Sequence, residues 1–303
     1  MTNELKVAAI VVTFNKVAFL SKNIEHLLNQ DTTIEEIIIV DNASTDDTET
    51  YMTSLAANNP KINYQRLTKN IGGAGGFSHG IKTAFDNPVI DYAWVMDDDT
   101  MPRKNSLTTL LDAAHNRLAD NFGFLVSNTR WTDGHAALMN VPETTSDWND
   151  RVADNLVGIK TGTFVSFMTS RKVVSELGLP IKEFFIWSDD LEFSSRISKR
   201  YPSYLVTDSL VDHEMAKNQG VKFLEETDVN RLGRYTYSFR NKMYIERRDG
   251  HKGYLRYKVS LLLLMLTLPF KSVDFKWQKE RILLKGFNQG LFFKPTVEFL
   301  NKR

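Results

Sequence analysis

The chain has 303 residues, a quarter of them charged, and Lys+Arg 38 against Asp+Glu 37 leaves a formal net charge of +1. It is long enough to bury a sizeable core in one large domain with an appendage, and its balanced charge excludes an acidic tail and gives no footprint for a nucleic-acid partner. The absence of cysteine excludes disulfides, zinc–thiolate centres and thiol nucleophiles, and is compatible with a reducing cytoplasm.

In chain order, "MTNELKVAAIVVTFN" lacks the small-residue cleavage site of a secretory signal, and its "VAAIVVTF" reads as a first strand. Val17, Leu20, Ile24, Leu27 and Leu28 then fall on one helical stripe. "EEIIIVDNAS" gives a second strand, followed by a helix beginning in "STDDTETYMTSL", where Ser44 or Thr45 can cap. "INYQRLT" is a third strand; a glycine-rich turn then leads into the helix "SHGIKTAF", and "YAWVMDDD" is a fourth strand. A helix over Ser106 to Leu118 and the apolar strand "FGFLVSN" follow. This alternation is the pattern of βαβ units on a mainly parallel sheet.

From about Arg130 to Asn155 the sequence is polar and irregular, long enough for a functional loop or lid. "VGIKTGTFVSFMTS" returns to strand pattern, and "SDDLEFSSRISKRY" reads as a helix with Ser188 as its cap. Residues 1–225 are expected to form an α/β domain and 226–303 a basic helical region. The apolar run Val259 to Phe270 is shorter than the roughly 20 residues that cross a bilayer as a helix. With the aromatic, basic "YTYSFRNKMYIERR", it suits contact with a membrane surface or a second copy, or packing on its own domain.

Asp41, Asn70 and the three aspartates Asp97, Asp98 and Asp99 all lie at the C-terminal ends of strands, the edge where open α/β sheets bind ligands. Adjacent carboxylates repel one another; a Mg²⁺ or Mn²⁺ ion would relieve this, and a solvated acidic turn is the alternative. "NIGGAGGFSHG" lets a backbone approach an anion closely but has no Gly-Lys-Ser/Thr ending, so it is no P-loop. Asp189 and Asp190 follow aromatic residues that would desolvate a carboxylate and suit it to general-base work; an acidic first helical turn is the plain alternative. His213 is either a metal ligand or a structural histidine.

Taken together, "VVTFN", "IVDNASTDDT", "NIGGAGGF", "MDDDTMP", "WSDDLEF" and "DHE" resemble, in order and spacing, the inverting family-two nucleotide-sugar glycosyltransferases of the GT-A fold, from about Val7 to Met215. Within them the pattern is most similar to bacterial galactofuranosyltransferases and the related rhamnosyltransferases. The resemblance implies a Rossmann-like, mainly parallel sheet flanked by helices, with a C-terminal helical extension. It implies that Thr13, Asn15 and Asp41 hold uridine, that Asn70, Gly72 and Gly73 lie near the ribose and diphosphate, and that Asp98 and Trp187 also border the donor. Asp97, Asp99 and His213 match the ligands of Mn²⁺ or Mg²⁺, Asp190 the catalytic base, and Asp189 a partner for sugar hydroxyls. "YTYSFRN" resembles a helix near which a lipid-linked acceptor is expected. The implied reaction moves galactofuranose from UDP-galactofuranose to a lipid-linked cell-surface glycan, in the cytoplasm or peripherally on the inner face of the plasma membrane, with homo-oligomerisation left open. Ser188 separates Trp187 from the aspartate pair, a departure that keeps a dTDP-rhamnose donor as the alternative. A catalytically inactive nucleotide-sugar-binding module is the reading from another class.

Overall fold

The computed structural model describes residues 5–218, 220 and 222–300; the expected domain ranges extend beyond these at both ends. In chain order the elements are β1 Val7–Thr13, α1 Val17–Leu28, β2 Glu36–Asp41, α2 Thr48–Asn58, β3 Ile62–Arg66, α3 Gly72–Asp86, β4 Tyr92–Asp97 and β5 Thr100–Pro102. There follow α4 Ser106–Asp112, β6 Phe124–Trp131, β7 Leu156–Gly158, β8 Val165–Ser170, α5 Arg171–Leu177, α6 Asp189–Ser198 and β9 Tyr204–His213. Helices α7 Val229–Leu232, α8 Tyr235–Asp249, α9 His251–Thr267 and α10 Lys276–Phe292 complete the chain.

The strands form one sheet in the order β3-β2-β1-β4-β8-β6-β9-β5, with β7 paired to β9. Its first four strands are parallel neighbours, as the βαβ alternation implies. β8 then enters antiparallel to both β4 and β6, while β6 and β9 run parallel. The mainly parallel α/β architecture expected from the sequence is therefore present, with β5, β7 and β8 reversed.

Strand alternation sorts the core onto both faces. Val7, Ala9 and Val11 pack with α1, α2 and α4, and Ala8, Ile10 and Val12 pack with α3, α5 and α6. Because β1 is buried on both faces it reads as a continuous apolar run, as a central parallel strand should. A separate apolar cluster joins Tyr235, Phe239 and Met243 of α8 to Ile282 and Leu283 of α10. Gly286 makes this close approach possible, since a Cβ there would lie 2.8 Å from Phe239 Cβ and 2.9 Å from the Thr236 carbonyl.

Local expectations change at four places. The glycine-rich segment is the opening of α3 itself, and Gly72 is required there: its φ is +78° and a Cβ would fall 1.9 Å from the Phe185 carbonyl oxygen. α2 begins at Thr48, beyond Ser44 and Thr45, because Ser44 is occupied by Asn15 and Asp41. "VGIKTGTFVSFMTS" is two strands, β7 and β8, on opposite sides of the β6–β9 pair. Ser188 holds the N-cap position of α6, but with φ +67° and no side-chain capping bond. β5 and β9 are two strands beyond those expected from the sequence.

Candidate active site

The C-terminal ends of β1, β2 and β4 lie side by side, so each delivers its terminal polar residues to one edge. Thr13 is buried and its Oγ1 donates to Asp98 Oδ2 at 2.8 Å. Asn15, with φ +55°, accepts from Thr45 N at 2.7 Å through Oδ1, tying the β1 loop to the β2 loop. Asp41 is wholly buried and accepts from Ser44 N at 2.8 Å and from the Tyr64 hydroxyl at 2.7 Å. Asn42 joins this wall to α3, accepting from Ile71 N and donating to the Gly72 carbonyl, both at 3.2 Å. Asn70 caps the same corner by accepting from Gly72 N at 2.8 Å, and Gly73 follows in the first turn.

The three aspartates have three different fates. Asp99 faces Lys16, whose Nζ donates to it at 2.7 Å, and His213, whose Nε2 lies 3.1 Å away. Burial pushes the Asp99 carboxyl up, but His213 and Lys16 outweigh this and hold it well below the usual carboxylate range. Asp98 lies 3.3 Å from Lys16, yet burial still pushes it up to about 6. Asp97 is raised furthest, by burial and then by the charges of Asp99 and Asp98. Lys16 is held more strongly cationic than usual: burial opposes its charge, and Asp98 and Asp99 overcome that opposition. Lys16 thus touches the last two members of the triplet directly and reaches Asp97 only through space.

On the far wall, Asp189 and Asp190 open α6, and burial raises both carboxyls, Asp189 further because Asp190 is beside it. Asp190 accepts from Leu191 N at 2.7 Å, and the Asp189 charge is felt at Asp97. Glu192, the third acid of that turn, is taken by Arg196 at 3.0 Å and Arg248 at 2.6 Å and serves the fold. Phe185, Trp187 and Ser188 all have φ between +64° and +67°, a left-handed conformation costly for bulky side chains that persists only when its surroundings enforce it. The enforcement comes from α8. Buried Asn241 donates from Nδ2 to the carbonyls of Phe184, Ile186 and Trp187 at 3.0, 3.2 and 2.8 Å. Arg240 donates to the carbonyls of Glu183 and Phe184 at 2.6 and 3.0 Å. Phe185 stacks on Tyr237, and Trp187 meets Tyr235 edge-on.

A model of the family described as glycosyl transferase family 2 matches residues 8–178, more than half the chain. The chain belongs to glycosyl transferase family 2. Relatives of this glycosyltransferase include Galactofuranosyltransferase GlfT1 of Mycolicibacterium smegmatis, 27% identical over 207 residues, a match covering 65% of this chain and 67% of the relative. The GalNAc(5)-diNAcBac-PP-undecaprenol beta-1,3-glucosyltransferase of Campylobacter jejuni is 32% identical over 120 residues, 39% of this chain and 37% of its own length. The fold is similar to a crystal structure of GalNAc-T7 with UDP, GalNAc and Mn2+ (TM-score 0.58, 16% identity, 71% of this chain and 45% of that one). It is also similar to S. aureus TarS (TM-score 0.54, 15% identity, 95% of this chain and 44% of that one). The chain therefore spans about two thirds of the mycobacterial relative and less than half of the last three proteins.

In this glycosyltransferase, the residues singled out from the sequence lie on the edge just described or on the α6 loop facing it, except His213, which ends β9 and reaches the edge through Asp99. Four further residues shape the site without having been assigned to it from the sequence. Lys16 follows β1 with no spacing that ties it to Asp99, 83 positions on. Asn140, in the polar loop after β6, places Oδ1 2.9 Å from His213 Nδ1 and so orients that ring. Arg240 and Asn241 lay within a motif noted for its acceptor resemblance, and the structure gives them a grip on the loop before the acidic pair.

Proposed function

We propose that this family-2 glycosyltransferase is a metal-dependent inverting enzyme that transfers galactofuranose from UDP-galactofuranose to a lipid-linked glycan. The observation that supports it best is the pairing of two buried acidic groups, Asp97 to Asp99 and Asp189 with Asp190, across one sheet edge. The galactofuranosyl relative supports the choice of sugar, and PP-undecaprenol in the name of the second relative supports the class of acceptor.

Among the described residues no three of His, Cys, Asp or Glu are gathered closely enough to form a finished metal cage. The donor set nonetheless fits a hard divalent cation: carboxylate oxygens and one imidazole, with the Asp97 carboxyl pushed up by burial and by Asp99 and Asp98 against the opposing charge of Lys16. Asp97, Asp99 and His213 would hold Mn²⁺ or Mg²⁺, which when bound supplies positive charge against the departing diphosphate. The structural neighbour crystallised with Mn2+ supports this.

Thr13, Asn15 and Asp41 form the uridine wall, Asp41 chiefly by setting its shape because both its oxygens are already engaged. Asn70, Gly72 and Gly73 border the ribose and diphosphate at the start of α3, where the helix dipole favours anions. Asp98 and Trp187 flank the donor, and Asp189 accepts from sugar hydroxyls. Asp190 takes the proton of the acceptor hydroxyl as its oxygen attacks the anomeric carbon from the face opposite the diphosphate, so configuration inverts. Burial keeps Asp190 more basic than an ordinary carboxylate, as a general base requires.

No helix among the described residues is long and apolar enough to cross a membrane. Peripheral membrane contact is supported by α9, where Leu255, Val259, Leu262 and Leu266 form an exposed helical stripe.

Calorimetry with UDP-sugars tests the metal assignment. Asp99→Ala is expected to abolish Mn²⁺-dependent donor binding, and unchanged affinity with Mn²⁺ would overturn it. Product masses from parallel incubations with UDP-galactofuranose and dTDP-rhamnose decide the donor, and turnover of the rhamnose donor alone would end the galactofuranose reading.

A further inference from the structure

The C-terminal helices carry an excess of positive charge, part of which no acid of the fold meets. Residues 229–303 contain 17 Lys and Arg against five Asp and Glu, whereas residues 1–228 contain 21 against 32. A cleft of about 600 Å³ opens between α8 and α10, its rim completed by Asn230 and Gly233. Arg234, Arg240, Arg281 and Lys285 line it, together with Gln278 and Gln289, and no carboxylate does.

Near the sheet, cations are commonly matched: Arg103, Arg117 and Arg196 each meet a carboxylate within 3.0 Å. In the cleft, Arg234, Arg281 and Lys285 make no side-chain hydrogen bond or ion pair with any described residue, and the acids nearest Arg234 are otherwise engaged. Glu226 is shared by Tyr235 and Arg231, and Asp228 accepts from Asn230 N at the start of α7. Burial, and then neighbouring Arg231, lower the pKa of Arg234; burial lowers that of Arg240 to about 10. Cations collected in one cleft without counter-charge favour a polyvalent anion.

Two further features define that anion. The cleft shares a wall with the catalytic loop, because Tyr237 stacks on Phe185 and Arg240 holds the carbonyls of Glu183 and Phe184. Beside the α10 row Gln278, Arg281 and Lys285, helical spacing puts Trp277 and Leu284 on the flank, and both are exposed. A charged head with an apolar tail matches that pairing; a soluble anion would leave the flank unused.

We propose that the cleft seats the diphosphate of a lipid-linked acceptor, gripped by Arg281 and Lys285 from α10 and by Arg234 from the start of α8, with Trp277 and Leu284 against the first part of the lipid chain. The proposal rests on the reading of the protein as a transferase to lipid-linked glycans and names where such an acceptor is held.

The test uses the full chain and co-sedimentation with two kinds of phosphatidylcholine vesicle, one containing undecaprenyl diphosphate and one containing phosphatidylglycerol at matched surface charge. The chain is expected to bind the diphosphate vesicles on the order of 10-fold more tightly, the scale of a charge-assisted contact. Arg281→Glu with Lys285→Glu is expected to erase that ratio, and the neutral pair Arg281→Gln with Lys285→Gln to reduce it should charge reversal disturb folding. Lys252→Glu with Arg256→Glu, exposed on α9 outside the cleft, controls for charge and should weaken both vesicles equally while keeping the ratio. Equal binding of the unaltered chain to the two vesicles, or a ratio that survives both cleft variants, overturns the proposal. So does inorganic pyrophosphate competing at the same concentration as the lipid-borne group. Because no sugar moves in this experiment, an intact ratio alongside a failure to use any UDP-sugar would support the cleft and break the transferase reading.

Discussion

At the sheet edge, negative charge is gathered inward and met by neighbouring cations; in the cleft between α8 and α10, positive charge faces no acid. Lys16 meets Asp98 and Asp99, and Arg196 with Arg248 closes on Glu192, whereas Arg234, Arg281 and Lys285 face a cleft with no acid in its lining. Buried charge without a partner is costly, so the sheet must supply its own cations or recruit one. Exposed charge costs little, so the helices can keep theirs for another molecule. The two regions meet at the loop from Glu183 to Asp190, where Arg240 and Asn241 of the basic region hold the backbone that presents the acidic pair. The C-terminal helices thus help to build the candidate site.

The largest effect falls on the acidic side. Asp190→Asn keeps the shape of the α6 turn but cannot take a proton, and turnover is expected to fall by about 10² to 10⁴-fold with donor affinity largely kept. Steady-state rates beside calorimetric donor titration check this, and near-normal turnover would place the base elsewhere. The same assignment fixes the sign of the pH dependence. Burial raises the Asp190 pKa, and a base works only when deprotonated, so kcat/KM should fall with acidification at a pH above the ordinary carboxylate range. An acid limb at or below that range would contradict a buried base.

A second, smaller effect tests whether the two regions are joined as described. Asn241→Ala removes the donor to three carbonyls of the strained loop. Leaving buried acceptors unpaired costs about 1–3 kcal/mol, and displacement of the acidic pair is expected to lower kcat by roughly tenfold or more. Metal-dependent donor binding at Asp97 and Asp99 should change much less, since that wall is built by β1 and β4. A melting shift with unchanged kcat would reduce Asn241 to a purely structural role.

How much of this was legible in the sequence follows from the range of the interactions. The parallel core was readable because β1, β2 and β4 announce themselves as apolar runs ending in polar residues, and strand ends are where such sheets place ligands. Asp41, Asp97 and Asp99 could be assigned to one edge for that reason. The cap near Ser44 and the turn at Gly72 were not readable, because contacts from elsewhere decide them: Asn15 takes Ser44, and Phe185 crowds Gly72; the N-cap position of Ser188 was readable, its left-handed backbone was not. Lys16 beside Asp99 and Asn140 beside His213 are pairings across 83 and 73 positions, with no local pattern to reveal them. The cleft between α8 and α10 was hidden for the same reason. Its cations come from two helices, and the overall net charge of +1 conceals their concentration at one end.

The smallest effect belongs to the outer surface of the basic region. Leu266 is 70% exposed on α9, so Leu266→Ser removes little packing and should leave stability within about 0.5 kcal/mol. If the stripe enters a membrane surface, the same change gives up part of the free energy of burying one leucine, roughly 1 kcal/mol, and vesicle adsorption should weaken about fivefold. Charge and apolar area act together in such contacts, so the loss should appear on all anionic vesicles and leave the preference for diphosphate intact. Unchanged adsorption, together with a shift in the sedimentation of Leu266→Ser, would instead assign the stripe to a second copy of the chain. The helices would then meet lipid only through the cleft, and the contrast between the two regions would rest on Arg234, Arg281 and Lys285.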